Sequence, residues 1–230
     1  MTEARELLTP PRNAFRDECA RLGQVLRTIH QRDLDRPTDC PPWTVAELLA
    51  HVRTGVARLA DMLAAPAPGR AQVDAAGYFG AAKFTPQVDT DRIDAARAQA
   101  GGGTDPSTLA VEFDRAWQAT LDAVDAQPAD RVVRTRHGDA MTVPEFLRTR
   151  VVEVGVHGLD LAAALDREPW LTPAAGQVIA DLLTGGRPVP PQLGWDRLTL
   201  IQKATGRRPR STAEQAVLDA AGIRLLAFAG

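Results

Sequence analysis

Arg150, Glu153, His157 and Asp160 follow one another at spacings of three, four and three. In a helix, at about 100° per residue, all four fall within an arc of roughly 80°. Glu153 and His157 are then neighbours on one face, as residues i and i+4. A carboxylate and an imidazole so placed can grip one cation. Inward-facing Glu and His side chains are how helical bundles build metal sites in their cores. The same stretch carries Phe146, Leu147, Val151, Val152, Val154, Val156, Leu159, Leu161 and Leu165, which surround most of the helix. A helix apolar on nearly all sides is a buried one. Buried ionisable groups are costly unless they are paired or bound to a metal.

Two ligands do not hold an ion, so a third must come from another helix. The best candidate is His51, at the edge of the stripe Val45, Leu48, Leu49 and Val52. Two imidazoles and one carboxylate form a catalytic ligand set that leaves a position open, and it suits zinc best among divalent ions. Asp160 is placed to orient a ligand histidine, or to pair with a neighbouring arginine. Arg150 is placed to neutralise Glu153 or to bind an anionic substrate. The spacing also accommodates a structural network of Arg150–Glu153 and His157–Asp160 pairs without any metal.

The elements that must carry these residues are mostly helical. Apolar residues at helical spacing predict a first helix over about 4–32. Thr44-Val-Ala-Glu47 is a capping box that opens a second helix ending near Pro66. Asp105-Pro106 is an N-cap with proline at the first helical position, and opens a third helix to about residue 126. Thr142-Val-Pro-Glu145 reads as another capping box, opening a fourth helix over about 143–166. Residues 65–104 read as irregular with a short helix near 90–99, and residues 129–141 as a hairpin-like excursion around His137-Gly138. Beyond Trp170, shorter helices are expected over 173–183, 195–205 and 211–221, with 223–228 as a terminal strand or docked tail. The expected architecture is mostly α: a four-helix bundle over residues 1–168 and a small, mostly helical C-terminal appendage over 169–230.

Composition bounds the function. The chain has 230 residues and a formal net charge of −2, with no block of like charge, which argues against nucleic-acid or anionic-membrane partners. Cys19 and Cys40 are too few for a disulfide framework or a cysteine-based zinc site. The opening residues lack a signal-peptide pattern, and no stretch approaches the roughly 20 apolar residues of a membrane span. A cytoplasmic protein, monomeric or homodimeric, is expected. Only Lys83 and Lys203 among 27 basic residues are lysine, a bias typical of a high-GC bacterial gene.

Two stretches, Cys40-Pro-Pro-Trp-Thr-Val-Ala-Glu-Leu-Leu-Ala-His51-Val and Arg150-Val-Val-Glu153-Val-Gly-Val-His157-Gly-Leu-Asp160-Leu, resemble the mycothiol-dependent maleylpyruvate isomerase family of the DinB/YfiT-like metalloenzyme superfamily. The resemblance spans roughly residues 10–166. It implies a DinB-like four-helix bundle with one divalent metal, typically Zn2+, at His51, Glu153 and His157. It also implies mycothiol, the low-molecular-weight thiol of actinobacteria, as cosubstrate. The thiolate would add to a small electrophilic substrate, for S-transfer or for thiol-assisted isomerisation of a maleylpyruvate-like compound. Full-length isomerases of the family carry a larger second domain than the roughly 60 residues that follow the bundle here. The residues by themselves leave open a metal-dependent hydrolase or a non-enzymatic binding bundle.

The remaining chemistry-bearing residues are read more plainly. Trp43 packs at the start of the second helix, and Cys40 is an inert or buried loop thiol. Tyr78 and Phe79 line a substrate entrance. His137 is exposed in a turn, and His30 ends the first helix, where a partial positive charge favours the helix dipole. Arg207 and Arg208 either bind a carboxylate or form a solvated surface.

Overall fold

Four long helices form a closed ring in the computed structural model, which describes residues 2–80, 86–100 and 105–226. They are α1 (Thr2–Leu26), α2 (Val45–Ala64), α5 (Pro106–Asp125) and α6 (Val143–Ala164). Helix α1 packs on α5 and α6, and α2 packs on the same two, so the order around the ring is α1, α5, α2, α6. Between α2 and α5 the chain forms α3 (Ala75–Tyr78) and α4 (Pro86–Ala100), and α4 lies on α2. After the ring come α7 (Pro173–Thr184), α8 (Arg197–Ala204) and α9 (Thr212–Ala221). The mostly helical architecture is the one expected, and no helix among the described residues is long and apolar enough to cross a membrane.

Sequence signals explain most of these elements. Thr44 and Glu47 form the predicted capping box, with Glu47 accepting from the Thr44 N–H at 2.8 Å. Helix α2 then buries Val45, Leu48, Leu49, Val52, Val56, Leu59 and Leu63, the predicted stripe. Asp105 caps α5 with Pro106 at its first position, Thr172 caps α7, and Ser211 with Glu214 boxes α9.

Helix α6 is buried on every side because α1, α2, α3 and α7 all pack against it. Two glycines permit the closest approach. A Cβ on Gly155 would meet the tips of Leu171 and Ile179 at 2.9 Å, and one on Gly158 would meet the Trp170 indole nitrogen at 3.2 Å. The segment entering α7 therefore lies directly on the α6 backbone. Glu18 of α1 bolts the same region: its carboxylate accepts from the Thr172 N–H at 2.9 Å and from the Thr172 hydroxyl at 2.6 Å.

Several expectations need correction. Helix α1 ends at Leu26, not near residue 32. The Thr28 hydroxyl bonds back to the Val25 carbonyl, and Arg167 reaches across to Thr28, turning the chain away. His30 therefore lies beyond the helix, capping a short 3-10 turn over Gln31–Asp33. Thr142 makes no side-chain cap, because its backbone belongs to a strand, and Glu145 accepts from the Ala75 N–H at the start of α3 instead. The irregular segment holds the 15-residue α4, longer than expected, while 81–85 and 101–104 lie outside the described residues.

The hairpin is real: β1 (Val132–Arg134) and β2 (Ala140–Thr142) pair antiparallel with Val133 opposite Met141. Its turn needs Gly138, at φ +86°. The tail to residue 226 docks without forming a strand, burying Ile223 and Leu226, and the rest of the apolar run lies outside the described residues.

Candidate metal centre

His51 sits two turns into α2, and Glu153 and His157 lie one turn apart in the middle of α6. The contact between these helices brings the three together. One donor atom from each lies within 4.8 Å of the others. The nearer Glu153 oxygen is 3.4 Å from His51 Nε2 and 3.4 Å from His157 Nε2. Donors bound tetrahedrally to one zinc ion at about 2.1 Å stand about 3.4 Å apart, so the spacing and the nitrogen and oxygen donor set both fit such an ion.

Each donor is held by neighbours. The His157 Nδ1 and Asp160 are 2.9 Å apart, which turns Nε2 towards Glu153. Asp160, fully buried, takes a two-pronged grip from Arg207, at 2.9 Å from Nε and 2.8 Å from a terminal nitrogen. Asp160 thus contacts a histidine and an arginine at once. Burial pushes the Asp160 carboxyl up, but His157 and Arg207 outweigh it and bring it from 3.8 to about 2. Burial likewise pushes Glu153 up, while His157, His51 and Arg150 together hold it well below the usual range. Trp43 stacks on His51 with centroids 4.5 Å apart and meets His157 edge-on at 6.1 Å, closing the site from the chain preceding α2. Cys40 is buried, and its sulfur lies within 4.8 Å of a donor atom of His157 and of Asp160.

A cavity of about 270 Å³ opens onto His51 and Glu153. Tyr78 and Arg150 line it as well, together with Arg58, Arg136 and His137. Arg150 is buried and turned inward. It donates to the Gly55 carbonyl, the Tyr78 hydroxyl and Thr149, and comes within 3.9 Å of Glu153. Tyr78 is buried and lines the cavity, whereas Phe79, buried edge-on to the Tyr78 ring, is not among the lining residues. His137, expected to be exposed, is half-buried, edge-on to Tyr78 at 5.2 Å.

Sequence reasoning missed several participants. Arg58 lies seven residues after His51, two turns along the same face of α2, so its place was legible from helical period. Arg136 carried no signal, because its place depends on how the hairpin folds over the cavity. For Arg207 the sequence leaves carboxylate binding and a solvated surface both open and names no partner; it reaches the Asp160 carboxylate from 47 residues away, while Arg208 is exposed.

Comparison with known proteins agrees with this arrangement at the level of fold. The chain is similar to the crystal structure of a mycothiol-dependent maleylpyruvate isomerase, with a TM-score of 0.55 at 16% identity over 77% of this chain and 69% of that one. A histidine-to-alanine variant of that isomerase gives a TM-score of 0.53 at 15% identity, with the same coverage. No curated protein sequence matches. A profile of the mycothiol maleylpyruvate isomerase N-terminal domain matches residues 15–162, which is well over half of the chain and runs from the second half of α1 to near the end of α6, so the protein belongs to that family of enzymes.

Proposed function

We propose that this chain is a divalent-metal-dependent enzyme that uses a low-molecular-weight thiol, mycothiol by family, against a small electrophile. The observation that carries the reading is the placing of His51, Glu153 and His157 beside a cavity, with one Glu153 oxygen 3.4 Å from an Nε2 of each imidazole. These three residues would hold the ion, zinc being the best match to two imidazoles and a carboxylate. A bound divalent ion supplies Lewis acidity, which shifts a thiol to its nucleophilic thiolate near neutral pH.

The chain's own residues do the rest. Asp160 fixes the His157 ring, and Arg207 fixes Asp160. Arg150 sets its charge beside Glu153 while its other donors brace α2 and Tyr78. Trp43 and the apolar face of α2 keep bulk water from one side of the histidines. Substrate has access from the cavity side, where His51 and Glu153 form part of the wall. There the thiolate sulfur forms a bond to an electrophilic carbon as the C=C π bond of an activated alkene breaks and its electron pair moves onto the conjugated carbonyl, or as a leaving group departs from a saturated carbon with the bonding pair. If the adduct is retained, the reaction is S-transfer. If it rotates about the former double bond and the S–C bond then breaks, the thiol is regenerated and the reaction is isomerisation.

Elemental analysis of purified protein tests the reading. About one zinc or similar ion per chain is expected in the wild type, and almost none in folded His51→Ala and His157→Ala. Turnover of an electrophile panel should then require added thiol. A wild type that takes up no metal even on reconstitution sinks the proposal, and thiol-independent turnover would replace it with metal-dependent hydrolysis.

A further inference from the structure

The wall of the cavity carries more cationic than anionic groups. Three guanidiniums, Arg58, Arg136 and Arg150, face it with two carboxylates, Asp91 and Glu153. Glu153 already lies between His51 and His157 and has Arg150 nearby. Arg150 has its donors directed to Gly55, Tyr78 and Thr149. Arg58 differs: among the described residues it has neither a hydrogen bond nor an ion pair. Arg136, on the exposed turn of the hairpin, bonds only its neighbour His137, through Nε at 3.2 Å, among the described residues. Its terminal nitrogens remain available at the mouth.

Like charges gathered at a partly enclosed wall repel one another, and the cost is lifted when an anion enters. Burial pulls the Arg58 guanidinium down from its ordinary value, and the charges of Arg136 and Arg150 add to that pull. Guanidinium groups match a carboxylate in a planar, two-bonded geometry that an ammonium group cannot reproduce.

We infer that Arg58 and Arg136 form a carboxylate-docking subsite that positions the electrophile against the His51/Glu153 side of the cavity. The inference rests on the thiol-enzyme reading for the reaction, but the docking is a binding property that can be read without turnover. The two arginines act from different elements, Arg58 from the wall on α2 and Arg136 from the β1–β2 turn. A substrate with one carboxylate needs one of them, and one with two carboxylates engages both.

The test is calorimetric titration of maleate and of its uncharged dimethyl ester, without thiol, into the full chain, with metal content measured on each sample. Maleate should bind the wild type at least about tenfold more tightly than the ester, and added salt should weaken it. Arg58→Gln and Arg136→Gln should each weaken maleate binding about tenfold, at unchanged metal content. Arg136 is exposed on a turn, so its variant keeps the test valid even if Arg58→Gln folds poorly. Equal binding of maleate by the wild type and Arg136→Gln, or equal binding of acid and ester, would overturn the assignment. So would a carboxylated thiol, 3-mercaptopropionate, outcompeting 2-mercaptoethanol in a protein that binds acid and ester alike, since the anion would then belong to the thiol. A metal-free wild type that still binds maleate through these arginines would refute the metal reading and leave the docking subsite standing.

Discussion

Asp160 shows how much the placing of one side chain depends on the residues behind it. Its carboxylate joins His157, 2.9 Å away on its own helix, to Arg207, far along the chain. Such partners fix the ring orientation and basicity of a ligand histidine, and losing one typically costs about 10- to 100-fold in metal affinity. In the proposed metal enzyme, Asp160→Asn should therefore release the ion to a competing chelator about 10- to 100-fold more readily than the wild type does. Arg207→Gln should move affinity in the same direction. Unchanged affinity in both would reduce the trio to a packing feature. Glu153, His157 and Asp160 were legible in the sequence because a single helix imposes their geometry, and spacing alone reports it. His51 was legible through the stripe beside it. Arg207 was not, because its contact is made by the path of the chain from α7 to α9, which no local pattern encodes. Trp43 was read as packing, and its stack on His51 follows from the turn before α2, not from a period.

Among the elements, α6 was the most readable, since residues apolar on all sides predict burial on all sides, and four helices do cover it. Its glycines are the corresponding weakness. Gly155→Ala places a methyl group 2.9 Å from two leucine and isoleucine tips and should cost about 1–3 kcal/mol in urea denaturation. The end of α1 was misread because apolar spacing continues past the point where Thr28 bonds backwards, and the Thr142 box was misread because a strand claimed its backbone. Both are cases of tertiary or competing hydrogen bonds overriding a local signal.

The α1–α7 tie carries a prediction of its own. Glu18 is buried, and burial is the largest influence on its carboxyl, raising it above 4.5 against the opposing bonds from Thr172. The folded state then holds a proton that the unfolded state has released. Stability from this group is full below about 4.5 and is lost as pH rises through the raised value. Glu18→Gln keeps an acceptor for Thr172 without the charge. Its urea midpoint should gain on that of the wild type as pH rises from 4 to 7, and a constant gap would show that Glu18 does not titrate in that range.

For the whole molecule, an ion held between α2 and α6 would cross-link two walls of the ring. A ligand that binds only the folded state stabilises it by about 2.7 kcal/mol at a hundred times its dissociation constant. Chelation should thus lower the melting temperature of the wild type and leave that of His51→Ala nearly unchanged. Equal sensitivity would place the stabilising ion elsewhere. The ring of helices and the short helices after it were legible from caps and stripes, but the cavity was not. Its walls come from α2, α3, α4, α6 and the hairpin at once, and a pocket is a property of how elements meet.

The path of Arg207 to Asp160 has a final consequence for proteolysis and for gene truncation. A chain cut just before residue 207 would keep all three candidate ligands and every long helix of the ring. It would also leave a buried carboxylate stripped of its guanidinium, next to the histidine it is supposed to steady. Such a fragment would look intact by helix content and by inspection of its ligand residues, yet hold its ion loosely. Shortened relatives should therefore be sorted by whether they retain a cation at this position before their metal residues are compared.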